Sequence, residues 1–139
     1  MRCTIILLLA IVSTAVLAAD PHWIELKKFP AFNGGTATAS LDDSTMLAHE
    51  SFKGFYIKTD FENIVVSSDG LKLVSIIETF EYNCQTREGR AKPVLVVDTD
   101  GVNHYIKNGE WRPITTAPAT DILAQVRLRV CFYALPGTF

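Results

Sequence analysis

The sequence predicts an α+β, mainly β fold: an antiparallel meander sheet of about six strands followed by a C-terminal helix. Three observations carry this prediction. Four Asn-Gly or Asp-Gly dipeptides punctuate the chain, the segments around them alternate or are rich in β-branched residues, and two cysteines remain beyond an N-terminal export segment. Because the strand-like segments follow one another without helical segments between them, a parallel βαβ arrangement is not expected.

Residues 1–18 are typical of a secretory signal peptide, so residues 19–139 are predicted to form a single exported domain. Arg2 supplies the positive charge at the N-terminus, and an apolar run extends from Thr4 to Leu17. The small residue Ala18 directly precedes the predicted cleavage site. The run has about fourteen residues, whereas a bilayer span needs about twenty. A cleaved signal is therefore favoured over a membrane anchor. The mature chain is expected to lack a transmembrane anchor and to reach the periplasm, the cell surface or the extracellular space.

The first predicted strands are short. Residues 23–29 alternate apolar and charged side chains, residues 36–41 are small, and residues 54–59 alternate again. Asn or Asp followed by Gly accepts the positive φ that a type I′ turn requires at both central positions, so two-residue hairpin turns are expected. The four dipeptides are Asn33-Gly34, Asp69-Gly70, Asp100-Gly101 and Asn108-Gly109.

Residues 71–84 form the longest predicted strand, which must bend or bulge. One face is apolar but is interrupted by Glu78. Shorter strands are predicted at residues 93–98, 102–106 and 110–114. The apolar positions of the long strand are Val74, Ile76, Phe80, Tyr82 and Cys84.

The segment from residue 120 to residue 130 fits two structures. Thr120 can cap a helix, and Ile122, Val126 and Val130 repeat every four residues. Residues 126–130 also alternate apolar and basic side chains, which is typical of a strand. The length and the cap favour a helix, but the residues alone leave both structures open.

Beyond the signal segment, the only cysteines are Cys84 and Cys131, which are predicted to form a disulfide. The bridge would close a loop of about 48 residues, for which chain entropy gives about 4 kcal/mol. The alternatives are a metal pair and a reactive thiol. A metal site needs three or four ligands, and neither cysteine has a histidine or a second cysteine nearby in sequence.

Neither a catalytic nor a metal-binding motif stands out, so the protein is predicted to be no enzyme and to use no cofactor. The three histidines, at positions 22, 49 and 104, are not spaced as ligands. Asp98-x-Asp100-Gly101 is similar to the start of a calcium loop but lacks the third ligand and the distal Glu. A hairpin turn explains that segment better. No serine elbow or phosphate loop is present.

The charge pattern suggests one candidate binding patch. A net charge of −2 argues against general nucleic-acid binding. Five cations flank the two cysteines, and the disulfide would bring them together to bind an anionic polysaccharide, a lipid head group or an acidic protein surface. The alternative is a solvated rim that Glu88 and Asp121 partly neutralise. The five cations are Arg87, Arg90, Lys92, Arg127 and Arg129.

Most of the mature chain resembles the surface-adhesin protein E-like family of small exported bacterial proteins. The resemblance rests on Trp23, on Ser40-Leu41-Asp42-Asp43-Ser44, and above all on the second half of the chain. That half carries Phe80-Glu81-Tyr82-Asn83-Cys84, Arg87, Arg90, Asp98-Thr99-Asp100-Gly101, Trp111-Arg112-Pro113-Ile114, Pro118 and Cys131. The chain departs from the family in lacking a lipidation cysteine and in carrying Phe55-Tyr56 where a tryptophan is expected.

The resemblance implies a sheet with a C-terminal helix tied back by one disulfide, Cys84 with Cys131. The founding member of the family is an outer-membrane adhesin that binds host matrix and plasma proteins. We therefore expect an exported, non-enzymatic binding protein with a protein or polysaccharide partner. Two alternatives remain: a small periplasmic enzyme inhibitor that uses the loop at residues 48–54, and a structural accessory protein that forms a homodimer through a sheet edge.

Overall fold

The computed structural model describes residues 20–49 and 51–132, without the side chains of residues 48, 49, 128 and 132. The predicted signal peptide lies outside the described residues. The described chain forms one antiparallel sheet of seven strands and one helix, which confirms the predicted fold class. The elements are β1 (Trp23–Pro30), β2 (Thr36–His49), β3 (Phe52–Val66), β4 (Lys72–Asn83), β5 (Gly89–Asp98), β6 (Asn103–Tyr105), β7 (Arg112–Pro113) and α1 (Ala119–Phe132).

The strands follow one another across the sheet in chain order from β1 to β6, and β7 pairs with the free end of β5. This is the meander that the closely spaced turns predict. β6 pairs with one end of β5 and β7 with the other, so that two short strands cover one edge of the sheet.

The turns differ from the expected type I′. The loops at Asn33-Gly34, Asp69-Gly70 and Asp100-Gly101 place only glycine at positive φ, and the preceding Asn or Asp is not left-handed. At the second of these loops, the amide of Gly70 donates to the Ser67 carbonyl and the amide of Ser67 to the Leu71 carbonyl. This is a three-residue hairpin loop with a left-handed glycine, which needs φ > 0 at one position instead of two. Gly109 does not have positive φ at all.

β2 and β3 continue well beyond their predicted ends because each contains a wide irregularity. The β2–β3 register shifts between Asp42 and Leu47, and the β3–β4 register shifts between Asp60 and Val65. Adjacent polar residues in these stretches, Asp43-Ser44-Thr45 and Glu62-Asn63, interrupt the alternation on which a strand prediction depends. The long strand β4 is itself irregular, since its register with β5 shifts between Leu73 and Ser75.

The helix α1 packs on one face of the sheet, which we call the inner face, and the core lies between them. Thr120 lies inside the helix, which begins one residue earlier at Ala119. Phe55 and Phe80 are the largest fully buried side chains, with ring centroids 5.9 Å apart. The helix contributes the four apolar residues Ile122, Leu123, Val126 and Val130. Their spacing buries one stripe of the helix, which selects the helical alternative for this segment.

The predicted disulfide links Cys84, just after β4, to Cys131 in the last turn of α1, with a Cα–Cα distance of 5.8 Å. At the other end of the helix, Lys27 of β1 forms an ion pair with Asp121 at 2.8 Å. The helix is therefore fastened to the sheet at both ends, and the opposite face of the sheet stays uncovered by any described element.

Candidate functional site

The uncovered face of the sheet, which we call the outer face, carries a line of cross-strand neighbours between the two tryptophans of the chain. Its last member, Trp111, precedes Arg112, which pairs with Ala91 and so places the tryptophan beside Lys92. At about 4.8 Å per strand, the five steps span about 24 Å. We call this line the aromatic row; its members are Trp23, Asp42, Tyr56, Thr79, Lys92 and Trp111.

A shallow groove of about 260 Å³ lies at the β1 half of the row. Trp23 and Tyr56 line it together with Tyr105 of β6, whose side chain is 74% exposed. The Nζ of Lys58 lies 5.1 Å from the ring centroid of Trp23 and forms an ion pair with Asp60 at 3.1 Å. The apolar floor of the groove is formed by Ile77, Val94 and Leu95.

The other half of the row is a stack of cations and rings. The guanidinium of Arg90 lies 4.6 Å from the ring centroid of Trp111 and 4.9 Å from that of Phe52. Its Nη2 is 2.5 Å from a carboxylate oxygen of Glu81, so its charge is already paired. The Nζ of Lys92 lies 5.1 Å from the Trp111 centroid. A groove of about 500 Å³ opens beside this stack, lined in part by Phe52, Arg90 and Trp111.

Asp42 anchors the row between Trp23 and Tyr56. It is 3% exposed and accepts hydrogen bonds from the backbone amides of His22 and Ser44 and from the hydroxyls of Ser44 and Thr45, at 2.6–3.2 Å. Burial acts to raise the pKa of Asp42, but the four hydrogen bonds together outweigh it and lower the pKa below the ordinary 3.8. These bonds hold the irregular stretch of β2 in place, so we assign Asp42 a structural role in the row.

Arg112 holds the segment that carries Trp111. Its guanidinium forms an ion pair with Glu78, the carboxylate that interrupts the apolar face of β4 and is 9% exposed. Burial raises the pKa of Glu78, and the charge and hydrogen bond of Arg112 oppose that rise only in part. The pair lies at a cavity of about 230 Å³ on the inner face, beside the segment that leads into α1. Glu78 thus connects the core to the strand next to Trp111.

The backbone segment that leads to Trp111 lies in close contact with β5. A Cβ atom at Gly109 would collide with the Pro93 carbonyl oxygen, so only glycine lets residues 106–109 lie this close to β5. The amide of Ile106 donates to the Val94 carbonyl at 2.9 Å, and the amide of Ile114 donates to the Gly89 carbonyl at 2.9 Å. The segment that contains Trp111 is therefore fixed to β5 on both sides.

The structure brings together two of the five cations predicted to form a patch, Arg90 and Lys92. Arg87 is exposed in the turn after β4, where its φ is 63°. Arg127 and Arg129 are exposed on α1, which covers the inner face, whereas Arg90 and Lys92 lie over Trp111 on the outer face. Asp121 pairs with Lys27 instead of neutralising the patch. Binding of an anionic partner by these residues stays a prediction.

The calcium-like segment is a hairpin turn, as the sequence favoured. One carboxylate oxygen of Asp98 accepts hydrogen bonds from the backbone amides of Asp100 and Val102, both at 2.9 Å. The other carboxylate oxygen lies 2.7 Å from the Nε2 of His104. His22 lies 2.7 Å from Asp43, and the side chain of His49 is not described. Within the described ranges, no three His, Cys, Asp or Glu side chains are grouped so that they could hold a metal ion.

The row offers ring faces and one ammonium group, a combination suited to recognition. No carboxylate of the described residues lies within ion-pair distance of Lys92, whereas Arg90 and Lys58 are paired. Rigid aromatic side chains supply contact area with little loss of conformational entropy. The row can therefore hold an elongated partner that presents apolar faces and an anionic group.

Sequence reasoning missed the row because its members are far apart in the chain and become neighbours only through the register of the paired strands. The two tryptophans drew attention only as part of the family resemblance, and Tyr56 only as one position of an alternating strand and as a departure from that resemblance. The pairing of residue 42 with residue 56, and of residue 79 with residue 92, depends on bulges that leave no clear trace in the sequence. The available signal was that Trp23 begins a strand and Trp111 directly precedes one.

No family model, curated protein or solved structure matches the chain. The resemblance to the surface-adhesin family therefore stays a prediction. Among the described residues, no helix has the length and apolar character needed to cross a membrane.

Proposed function

We propose that this protein is an exported, non-enzymatic binding protein that holds its partner on the outer face of the sheet through the aromatic row. The observation that carries the proposal is the continuous line of neighbours from Trp23 to Trp111. Exposed aromatic side chains grouped on one surface are typical of interaction sites. In the cell, this binding would serve an envelope-associated or adhesive role, as the family resemblance implies.

The fold supports the proposal because the core and the aromatic row lie on opposite faces of the sheet. Among the described elements the helix packs on the inner face and none covers the outer face, so a partner can meet the outer face without opening the core. The disulfide fits an oxidising compartment outside the cytoplasm. The charged side chains Glu25, Lys27 and Lys28 on the edge strand β1 weigh against the alternative of an accessory homodimer paired through that edge.

Binding is tested with an array that carries polysaccharides and purified matrix proteins. The full mature chain is compared with a Trp23→Ala, Trp111→Ala double variant and with Phe32→Ala. Phe32 is 82% exposed on the β1–β2 loop, away from the row, and serves as the control. We expect the double variant to lose the signals of the native protein and Phe32→Ala to keep them. Equal signals from native protein and double variant would contradict the proposal.

Export and exposure need a separate measurement. Cells that express the chain with its own N-terminal segment are fractionated, and intact cells are treated with protease. Digestion on intact cells, or recovery of the protein from the medium, supports an adhesive role. Protection until the outer membrane is opened would exclude adhesion and leave a periplasmic binding role, either as an enzyme inhibitor or as an accessory protein.

A further inference from the structure

We propose that the partner of the aromatic row is an acidic polysaccharide, which lies across the strands with a carboxylate at Lys92 and its sugar rings against the aromatic side chains. This inference rests on the proposed function, because it names the class of partner for the same surface. It is argued from the charges on the row, the exposed rings and the direction of the row across the sheet.

The first argument is charge complementarity. Three described carboxylates on or beside the row are engaged within the protein, and the exposed Glu110 next to Trp111 does not pair with Lys92. Asp42 accepts four hydrogen bonds, Asp60 pairs with Lys58, and Glu81 pairs with Arg90. Lys92 is left as an ammonium group with no carboxylate partner among the described residues, directly over Trp111. A protein of net charge −2 thus presents a local positive site that attracts an anion.

The second argument is the kind of surface that the rings offer. Tyr105 is 74% exposed and Trp111 is 37% exposed, and both lie at open, shallow grooves. A sugar ring has a face of C–H bonds, whose slightly positive hydrogens are attracted to the negative face of an aromatic ring. Its hydroxyl groups project from the rim and stay in contact with water. Stacking therefore leaves no polar group buried without a partner.

The third argument separates a saccharide chain from a peptide. A peptide that joins a sheet does so along a free strand edge, where its backbone groups find partners. The row instead crosses the strands, and the central strands β2 to β4 already use their backbone groups in ladders on both sides. A peptide laid along the row would have to leave its amides to water or to side-chain tips. The length of about 24 Å suits a linear polymer better than a small molecule.

The test uses three polymers as probes in calorimetric titrations of the mature protein. Polygalacturonate carries a carboxylate on every sugar, its fully methyl-esterified form is the same chain without the charge, and poly-L-glutamate has the charge without the sugar. We expect polygalacturonate to bind at least about tenfold more tightly than either control polymer. Its affinity should fall as salt is added, because the carboxylate contact is screened.

Two matched variants locate the contact. Lys92→Met removes the ammonium group and keeps the length of the side chain, and we expect it to weaken polygalacturonate binding by about tenfold. Lys107→Met makes the same change at an exposed lysine in the turn after β6 and should bind as the native protein does. Trp111→Ala should weaken binding of the acidic polymer by a similar factor. An Arg127→Ala, Arg129→Ala variant on the helix should have no effect.

Each other outcome overturns the inference in a distinguishable way. If poly-L-glutamate binds as tightly as polygalacturonate, the protein recognises negative charge and not the sugar. If the methyl ester binds as tightly as polygalacturonate, the carboxylate makes no contact that contributes to binding. Loss of binding in the helix variant but not in Lys92→Met would move the site to the other face. If no polysaccharide binds while the array finds a protein that needs Trp23 and Trp111, this inference fails and the proposed function stands.

Discussion

The guanidinium of Arg112 donates a hydrogen bond to the buried carboxylate of Glu78, so the strand next to Trp111 is tied to the inner face of the sheet. Glu78 stands among apolar side chains on β4, and Arg112 lies at the edge, with its own side chain 61% exposed. The two faces of the sheet are thereby coupled at one point. We therefore expect a change at Glu78 to reach the outer face through the position of β7.

Removing the guanidinium of Arg112 should destabilise the protein. Arg112→Ala leaves Glu78 buried without its partner, and we expect a loss of about 1–3 kcal/mol in the free energy of unfolding at neutral pH. The exposure of Arg112 keeps this below the value for a fully buried pair. Urea denaturation measures the loss. The Glu78→Gln, Arg112→Ala double variant should recover part of it, and no recovery would contradict the assigned coupling.

Glu78 should also give the stability a pH dependence of defined sign. Its pKa in the folded protein is raised above the ordinary 4.5 by burial, so the folded state holds the proton more tightly than the unfolded chain does. The resulting stabilisation is fully present below the unfolded pKa and is lost as the pH rises through the folded pKa. Urea denaturation across this window should show the loss in native protein and not in Glu78→Gln. The same pH dependence in both would contradict the assignment.

Asp42 should act with the opposite sign. Because its pKa is lowered in the folded protein, its contribution is present above the unfolded value of 3.8 and is lost as the pH falls through the folded pKa. Asp42→Asn should cost about 1–3 kcal/mol at neutral pH, and the difference from native protein should shrink in acid. Asp43→Asn, at the exposed neighbouring position, is the matched control and should change stability little. Thermal unfolding of the native protein and the two variants, at neutral pH and in acid, checks this prediction.

Gly109 and Gly54 form a second matched pair. A Cβ atom at Gly109 would meet the Pro93 carbonyl, whereas at Gly54 the nearest atoms lie 3.7 Å away, and neither glycine has positive φ. Gly109→Ala should therefore cost about 1–3 kcal/mol and displace Trp111, which intrinsic fluorescence reports. Gly54→Ala should be tolerated. Similar stability and fluorescence in the two variants would argue against the close approach.

The disulfide should account for a large share of the net stability. Cys84 and Cys131 are 47 residues apart, and closing such a loop restricts the unfolded chain by about 4 kcal/mol in the chain-entropy model. The Cys84→Ala, Cys131→Ala variant should show a loss of that order in chemical denaturation. Because small domains are marginally stable, it should also unfold far more readily on heating. Unchanged stability would mean that the bridge constrains little.

The fold was predictable because its signals are local. Alternation in residues 23–29 and the apolar face from Phe80 to Tyr82 each depend on near neighbours, and the two cysteines left a single pairing. The helix was ambiguous because Val126 to Val130 satisfies both periods, and packing of its apolar stripe on the core decides for the helix. The extent of β2 and β3 was missed because their bulges break the alternation.

The candidate site was less predictable, because it depends on residues that meet only through the sheet. Lys92 was recognised, but as part of a patch with Arg127 and Arg129, which the fold places on another element. Sequence proximity to a disulfide does not specify which face of a strand a side chain occupies. A shift of one residue in register would have exchanged the faces. Only the pairing of Thr79 with Lys92 and of Tyr56 with Thr79 assigns the row.

The distribution of the row over five strands and the segment before β7 affects how the sequence of such a protein can diverge. Each of β1 to β5 contributes one residue and Trp111 precedes β7, while the chain neighbours of Tyr56, Phe55 and Ile57, point into the core. A substitution at a row position other than the buried Asp42 is therefore expected to alter one contact point and leave the packing beneath it in place. Descendants of one ancestor can exchange partners one position at a time while keeping the same scaffold. Sequence similarity across such a lineage should decay fastest on the outer face and slowest on the inner one.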